Sequence, residues 1–219
     1  MLGSKKLKMD MTDKKQLHVA ICGGIAVGKT TICNHLSELI QNSILVEEQP
    51  EKNIYLSDFY KDMKNWGFHS RIAMLSLFIT NYNSAKIYKN QVLIYDRTVH
   101  ELITFARVQL TMGNLTRDEY RLYSQLYKGV LELINPPDVV IYLYCKPLIA
   151  LSRIRERGRE FEKGVNSDYL NRINYQYDVW IRSLPKSYTV LKIDTTHKVD
   201  YMELKNKIFS LKLSPSTKT

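Results

Sequence analysis

Short apolar runs alternate with longer amphipathic segments along most of this chain. The runs Leu17–Cys22, Ser43–Val46, Gln91–Tyr95, Val139–Tyr144 and Tyr188–Ile193 are dominated by apolar residues and read as buried strands. Between them, apolar positions recur at helical spacing over Thr31–Ile40, 99–112, 116–134, 148–157, Ser167–Leu184 and 199–211. A further helical region runs from Asn53 through Asn83, with a break expected near Trp66-Gly67. Met112-Gly113-Asn114 has turn chemistry, and Thr116 followed by Glu119 has capping-box spacing. Strands alternating with helices predict an α/β fold: a five-stranded parallel sheet flanked by helices. Ligands of such sheets gather at the carboxyl ends of the strands. The segment from Gly23, Glu48, Asp96-Arg97 and Asp194 all follow strands and are therefore expected to share one rim.

The chain has 219 residues, 44% of them hydrophobic, which suits one buried core. We expect a flexible basic N-terminal tail over 1–16, a single domain over 17–211 and a short C-terminal tail over 212–219. No apolar stretch is long enough to span a bilayer, and the lysine-rich start lacks an apolar signal core. Cys22, Cys33 and Cys145 are odd in number and without metal spacing, so they read as reduced thiols of an intracellular, cytoplasmic protein. The formal net charge of +10 raises the question of nucleic acid. Part of the excess lies in the tails and part in Arg153, Arg155, Arg157 and Arg159, with no nucleic-acid-binding signature beside them. Nothing beyond weak nonspecific nucleic-acid binding is expected, and a phosphate-rich small ligand explains the cluster at least as well.

Gly23-Gly24-Ile25-Ala26-Val27-Gly28-Lys29-Thr30 fits the phosphate-loop pattern G-x-x-x-x-G-K-[ST], with a strand before it and a helix after it. Backbone N–H groups in such a loop wrap an anion, Lys29 can reach the terminal phosphates, and the Thr30 hydroxyl can help hold Mg²⁺. Asp96 can reach Mg²⁺ or cap the helix that follows. Arg97 can touch an acceptor oxygen or a phosphate, or form a structural salt bridge. Glu48 can take the proton of an attacking hydroxyl, although Glu47 and Glu51 compete with it. The run Arg153 to Arg159 is either a solvated helix face or a lid closing over transferring phosphate.

With these residues in hand, the chain resembles the deoxyribonucleoside kinase family from about residue 17 to 210. The resemblance is carried by the loop Gly23 to Thr31, by Glu48-Gln49-Pro50-Glu51-Lys52, and by Phe59-Tyr60, Trp66-Gly67-Phe68 and Asp96-Arg97-Thr98. Arg153-Ile154, Arg157-Gly158-Arg159, Glu162, Tyr169-Leu170 and Trp180 complete it. It implies a phosphate-loop nucleoside/nucleotide kinase fold with an arginine-rich lid. The implied activity is ATP-dependent phosphorylation of a deoxyribonucleoside 5′-hydroxyl. On that resemblance Glu48 is the general base, with Arg97 beside it, and Tyr60 and Glu162 hold the 3′-hydroxyl. Thr30 and Asp96 serve Mg²⁺, Arg157 and Arg159 are lid arginines, and Arg153 lies nearer the donor base. Asp194-Thr195-Thr196 lie against the donor adenine, and Trp66 and Phe68 line the acceptor pocket. A homodimer through helices 99–112 and 116–134 is also implied.

The chain departs from the family where the acceptor base is read. Arg71 stands at the family's glutamine, Phe78 at its arginine or methionine, and Leu102, beside Glu101, at a frequent aspartate. Glutamine both donates and accepts, whereas arginine only donates. Arg71 would suit acceptor-rich edges such as guanine O6 and N7 or pyrimidine carbonyls. Alternatively it pairs with Glu101, or points elsewhere and leaves the reading to His69 or Ser70. Two other functions share some of these features: a thymidylate-type nucleoside monophosphate kinase, with Arg71 serving an anionic acceptor, and a nucleotide-binding module without catalysis.

Overall fold

A computed structural model describes residues 16–89 and 91–213. Most of the expected basic N-terminal tail and the end of the C-terminal tail lie outside the described residues. The strands are β1 (Leu17–Gly23), β2 (Ser43–Val46), β3 (Val92–Asp96), β4 (Val139–Tyr144) and β5 (Thr189–Asp194). They form one sheet in the order β2-β3-β1-β4-β5, every neighbouring pair parallel. β1 is central and almost wholly buried, in keeping with its apolar run.

The helices are α1 (Lys29–Leu39), α2 (Leu56–Lys61), α3 (Met63–Ala85), α4 (Leu102–Thr111), α5 (Arg117–Leu133), α6 (Pro147–Arg157), α7 (Ser167–Ser183) and α8 (Tyr201–Leu213). α1 packs with α8, while α4 packs with α5 and α7, and α3 with α2, α4 and α5. The last helix runs two residues past the expected end at 211, to Leu213. No helix among the described residues is long and apolar enough to cross a membrane.

The break expected near Trp66-Gly67 falls instead at Asp62, and α3 runs through both residues. The Asp62 carboxylate accepts from Asn65 N at 3.1 Å and so starts the helix. Gly67 serves close packing: a Cβ there would sit 3.2 Å from the Asn114 carbonyl oxygen. The capping box at Thr116 and Glu119 forms with both of its hydrogen bonds. A second capping box, Thr98 with Glu101, starts the short 3₁₀ turn Val99–Glu101. Capping after β3 therefore falls to Thr98 and leaves Asp96 available for other work.

His100, in that turn, is buried, and burial lowers its pKa from 6.5 to about 4. Below pH 6.5 the unfolded chain takes up a proton that the folded chain refuses until about pH 4. Stability from this group is thus intact above pH 6.5 and lost as pH falls through that window, by up to about 1.4 kcal/mol per pH unit. Urea unfolding between pH 7 and 5 should show a shallower loss for His100→Asn than for the parent protein; equal slopes would remove His100 as the cause.

Candidate active site

Each strand end delivers one part of the site. β1 runs into the phosphate loop, where Gly23 cannot be replaced without displacing backbone. A Cβ at Gly23 would lie 2.3 Å from the Leu143 carbonyl oxygen of the neighbouring strand. Gly28, at φ 92, turns the chain into α1. Lys29 follows, buried, with Nζ donating to Gly24 O at 2.6 Å. Burial, and then Arg97, lowers its pKa.

β3 ends in Asp96, whose Oδ2 accepts from Thr30 Oγ1 at 2.5 Å. Asp96 Oδ1 is buried with no hydrogen-bond partner among the described residues. Burial raises the pKa of this carboxyl, against the pull of Lys29. A carboxylate and a hydroxyl side by side are hard oxygen donors, the set that suits Mg²⁺ shared with phosphate oxygens and water. No group of three or more His, Cys, Asp or Glu able to hold a metal occurs among the described residues. These residues therefore fit an ion brought in largely by its nucleotide.

Arg97 is the centre of the site. It has φ 76, a left-handed conformation rare for arginine and held here by its surroundings. Its Nε donates to Glu48 Oε1 at 2.8 Å, and its Nη1 to Gly23 O at 2.9 Å and Tyr177 OH at 2.6 Å. Burial opposes its charge, but Glu48, Tyr177 and Glu101 outweigh burial and hold its pKa above the ordinary arginine value. Of the three acidic candidates after β2, Glu48 is the one on the cavity wall; Glu47 and Glu51 are exposed. Glu48 Oε2 has no hydrogen-bond partner among the described residues, so one oxygen is positioned by Arg97 and the other is unengaged.

Glu101 was not anticipated in this network. It is fully buried, accepts from Gly23 N at 3.0 Å, Thr98 N at 3.2 Å and the Tyr177 hydroxyl, and lies 3.5 Å from Arg97 Nη1. The pairing of Arg71 with Glu101 that the sequence allows is thereby corrected: Glu101 belongs to Arg97. Tyr177 was also missed. Its face on α7 was legible, since Tyr169, Ile173, Tyr177 and Trp180 recur at helical spacing and are all buried. What that face would meet was not.

A cavity of about 670 Å³ joins these groups. Its lining includes Ile25 to Thr31, Arg153, Thr195 and Thr196, together with Glu48, Tyr60, Arg71, Leu102 and Glu162. Arg97, Arg157 and Arg159 also border it. Arg153 Nη2 donates to Thr195 O at 2.6 Å and Thr195 Oγ1 to Val27 O at 2.8 Å, tying β5's exit to the phosphate loop. Arg157 Nη2 reaches both oxygens of buried Glu162, at 2.7 and 2.6 Å, and Arg159 stands 3.9 Å away. Gly23, Gly24 and Asp96 do not line it but are hydrogen-bonded to Arg97, Lys29 and Thr30, which do.

Besides Gly23, Gly24 and Asp96, four expected site residues are not on the cavity wall. Trp66 lies five positions before Arg71 and so about 140° around α3, stacked on Tyr55 at 5.5 Å. Phe68 sits edge-on to His69 instead. Phe78 shares the Arg71 face but lies two turns further along, about 10 Å away, beside Val46 and Tyr82. Asp194 is exposed and accepts from Thr196 N at 2.8 Å. Phe59, Met74, Phe105, Phe161 and Tyr169 take over the apolar wall.

A phosphate loop under a parallel sheet, a strand-end Asp-Arg pair and an arginine-bearing helix end over one cavity define a kinase of the nucleoside and nucleotide class. The deoxynucleoside kinase family model matches residues 19–213, and the chain belongs to that family. It is 31% identical over 187 residues to a deoxyadenosine kinase of Dictyostelium discoideum, covering 85% of this chain and 76% of that protein. It is 30% identical over 188 residues to a deoxyguanosine kinase of Bacillus subtilis, covering 82% of this chain and 87% of that one. The solved deoxyadenosine kinase of M. mycoides with bound dATP superposes with a TM-score of 0.76 at 28% identity, over 92% of this chain and 100% of that one. The same enzyme with products dCMP and a flexible dCDP gives a TM-score of 0.78 at 27% identity, over 90% and 99% of the two chains. The protein is thus a phosphotransferase, a deoxynucleoside kinase.

Proposed function

We propose that this enzyme transfers the γ-phosphate of ATP to the 5′-hydroxyl of a deoxyribonucleoside, with Glu48 as the general base. The observation that carries the assignment is Glu48 itself. Arg97 holds one of its carboxylate oxygens at 2.8 Å, and the other is unengaged beside the phosphate loop. A neutral hydroxyl must lose a proton as it attacks, whereas an acceptor phosphate is already an anion and needs cations instead. A carboxylate held by an arginine serves the first need and opposes the second.

The remaining roles follow from position. The loop from Gly23 to Thr31 would cradle the donor phosphates, and Lys29 would exchange its bond to Gly24 O for their oxygens. Thr30 and Asp96 would hold Mg²⁺, which supplies charge neutralisation on the phosphates when bound. Arg157 and Arg159 would meet the charge that builds on the transferring group, and Arg153 with Thr195 and Thr196 would border the donor base. Tyr60 and Glu162, on the cavity wall, would hold the sugar 3′-hydroxyl.

We also infer a homodimer. The support is on α5, where Leu122 and Leu126 are 49% and 46% exposed and share one face. α4 is largely buried by its own chain and offers little to a partner. The three buried free thiols suit an intracellular location.

Product analysis tests the reaction. Incubated with ATP and Mg²⁺, the protein should convert deoxynucleosides to 5′-monophosphates and leave deoxynucleoside monophosphates unchanged. Diphosphate formed from a monophosphate, with no turnover of free nucleosides, would assign the thymidylate-type reaction instead. Light scattering that shows a monomer at micromolar concentration would remove the dimer.

A further inference from the structure

We propose that Arg71 selects the acceptor base, and that the enzyme prefers 6-oxopurine deoxynucleosides, whose O6 and N7 form a paired acceptor edge. The proposal rests on the kinase reading above and concerns the same cavity. Arg71 is 6% exposed, yet among the described residues its one hydrogen-bond partner is Ser70 Oγ, at 3.3 Å from Nη2. Its Nε is buried and has no hydrogen-bond partner among the described residues. The guanidinium carbon lies 5.2 Å from the centre of the Phe59 ring and 5.5 Å from that of Phe105, so two aromatic rings flank it on the cavity wall.

The carboxylates on the cavity wall, and Glu101, each face another arginine. Glu48 and Glu101 lie against Arg97, and Glu162 is held by Arg157. A buried guanidinium stays charged, and a buried charge without a counter-group is costly. Aromatic faces offset part of that cost but accept no N–H hydrogen bond in the guanidinium plane. What completes such a group is a pair of adjacent acceptors brought by the ligand.

The fork of an arginine matches the O6 and N7 acceptors of guanine or hypoxanthine, a bidentate pairing that point charges such as lysine do not reproduce. Adenine places an amino donor beside N7, which would face the guanidinium donor to donor. Thymine places a methyl group beside O4. Cytosine pairs O2 with N3, but its amino group flanks N3 and its O2 lies next to the sugar. The leucine at position 102 adds an apolar wall with no acceptor to reward an amino group.

The test is a kcat/KM panel over deoxyguanosine, deoxyinosine, deoxyadenosine, deoxycytidine and thymidine, with 7-deazadeoxyguanosine as a probe that lacks only the N7 acceptor. Calorimetric binding of deoxyguanosine and deoxyadenosine runs in parallel. Deoxyguanosine and deoxyinosine should exceed the other natural bases by about tenfold or more, and the 7-deaza analogue should lose about tenfold. Arg71→Met keeps apolar volume between the two rings and should erase the kcat/KM ratio of deoxyguanosine over deoxyadenosine; a thermal melt confirms that it folds. Equal use of the 7-deaza analogue, or deoxyadenosine or deoxycytidine as the best substrate, overturns the proposal and leaves the kinase assignment standing. Turnover of no deoxynucleoside overturns the kinase assignment instead, and the calorimetric preference then decides Arg71 by itself.

Discussion

Glu48→Gln is expected to lower kcat by about two to four orders of magnitude while nucleotide affinity stays near that of the parent enzyme. Glutamine keeps the length of the side chain and an oxygen for Arg97 Nε, so the 2.8 Å contact can persist. What it removes is the basic oxygen. Glu48, on the cavity wall, is 19% exposed, so no buried charge is stranded apart from that of Arg97, which keeps Glu101 and the Gly23 carbonyl. The loss should therefore fall on the chemical step and not on folding. Steady-state rates at saturating ATP, together with nucleotide binding by fluorescence or calorimetry, separate the two. A variant that turns over at close to the parent rate would remove Glu48 as the base and with it the argument for a neutral hydroxyl acceptor.

Glu101→Ala should be the most damaging change to stability, at about 3–5 kcal/mol. Glu101 answers donors from three separate elements: Gly23 N on β1, Thr98 N after β3 and the Tyr177 hydroxyl on α7, with Arg97 alongside. Alanine leaves two buried backbone N–H groups without an acceptor and takes one of two carboxylates from Arg97. For a chain of this size that corresponds to a fall in Tm of roughly 10 °C. Glu101→Gln distinguishes shape from charge. Its amide must turn an N–H toward at least one of these donors, so it too should lose stability, though less than alanine. Activity should fall in both variants, because Gly23 and Arg97 lose their fixed relation. An alanine variant that melts within about 2 °C of the parent would show that the network does not need this carboxylate.

Buried charge explains why part of this site was legible beforehand and part was not. The phosphate loop, Asp96-Arg97 and Glu48 were visible because each follows an apolar run directly, and parallel strands bring such positions to one edge. Trp66, Phe68 and Phe78 were placed on the cavity by resemblance. Helical geometry decides otherwise for this chain, since 3.6 residues per turn carries Trp66 to another face of α3 and Phe78 beyond the cavity's end. Glu101 was visible as a neighbour of Leu102 and as an alternative partner for Arg71, not as the partner of Arg97. Nothing local shows that its carboxylate reaches Gly23, 78 residues earlier in the chain.

The sequence by itself determined the alternation of strands and helices, the parallel sheet and the loop that takes phosphate. These follow from hydrophobic period and from the backbone freedom of a few glycines, both properties of short segments. Only the tertiary structure decided which arginine meets which carboxylate. Arg97 takes Glu48 and Glu101, Arg157 takes Glu162, and Arg71 is left between two phenylalanine rings with no acid against it among the described residues. Pairing in a buried site depends on distances between segments far apart in the chain, and those distances exist only once the sheet has formed.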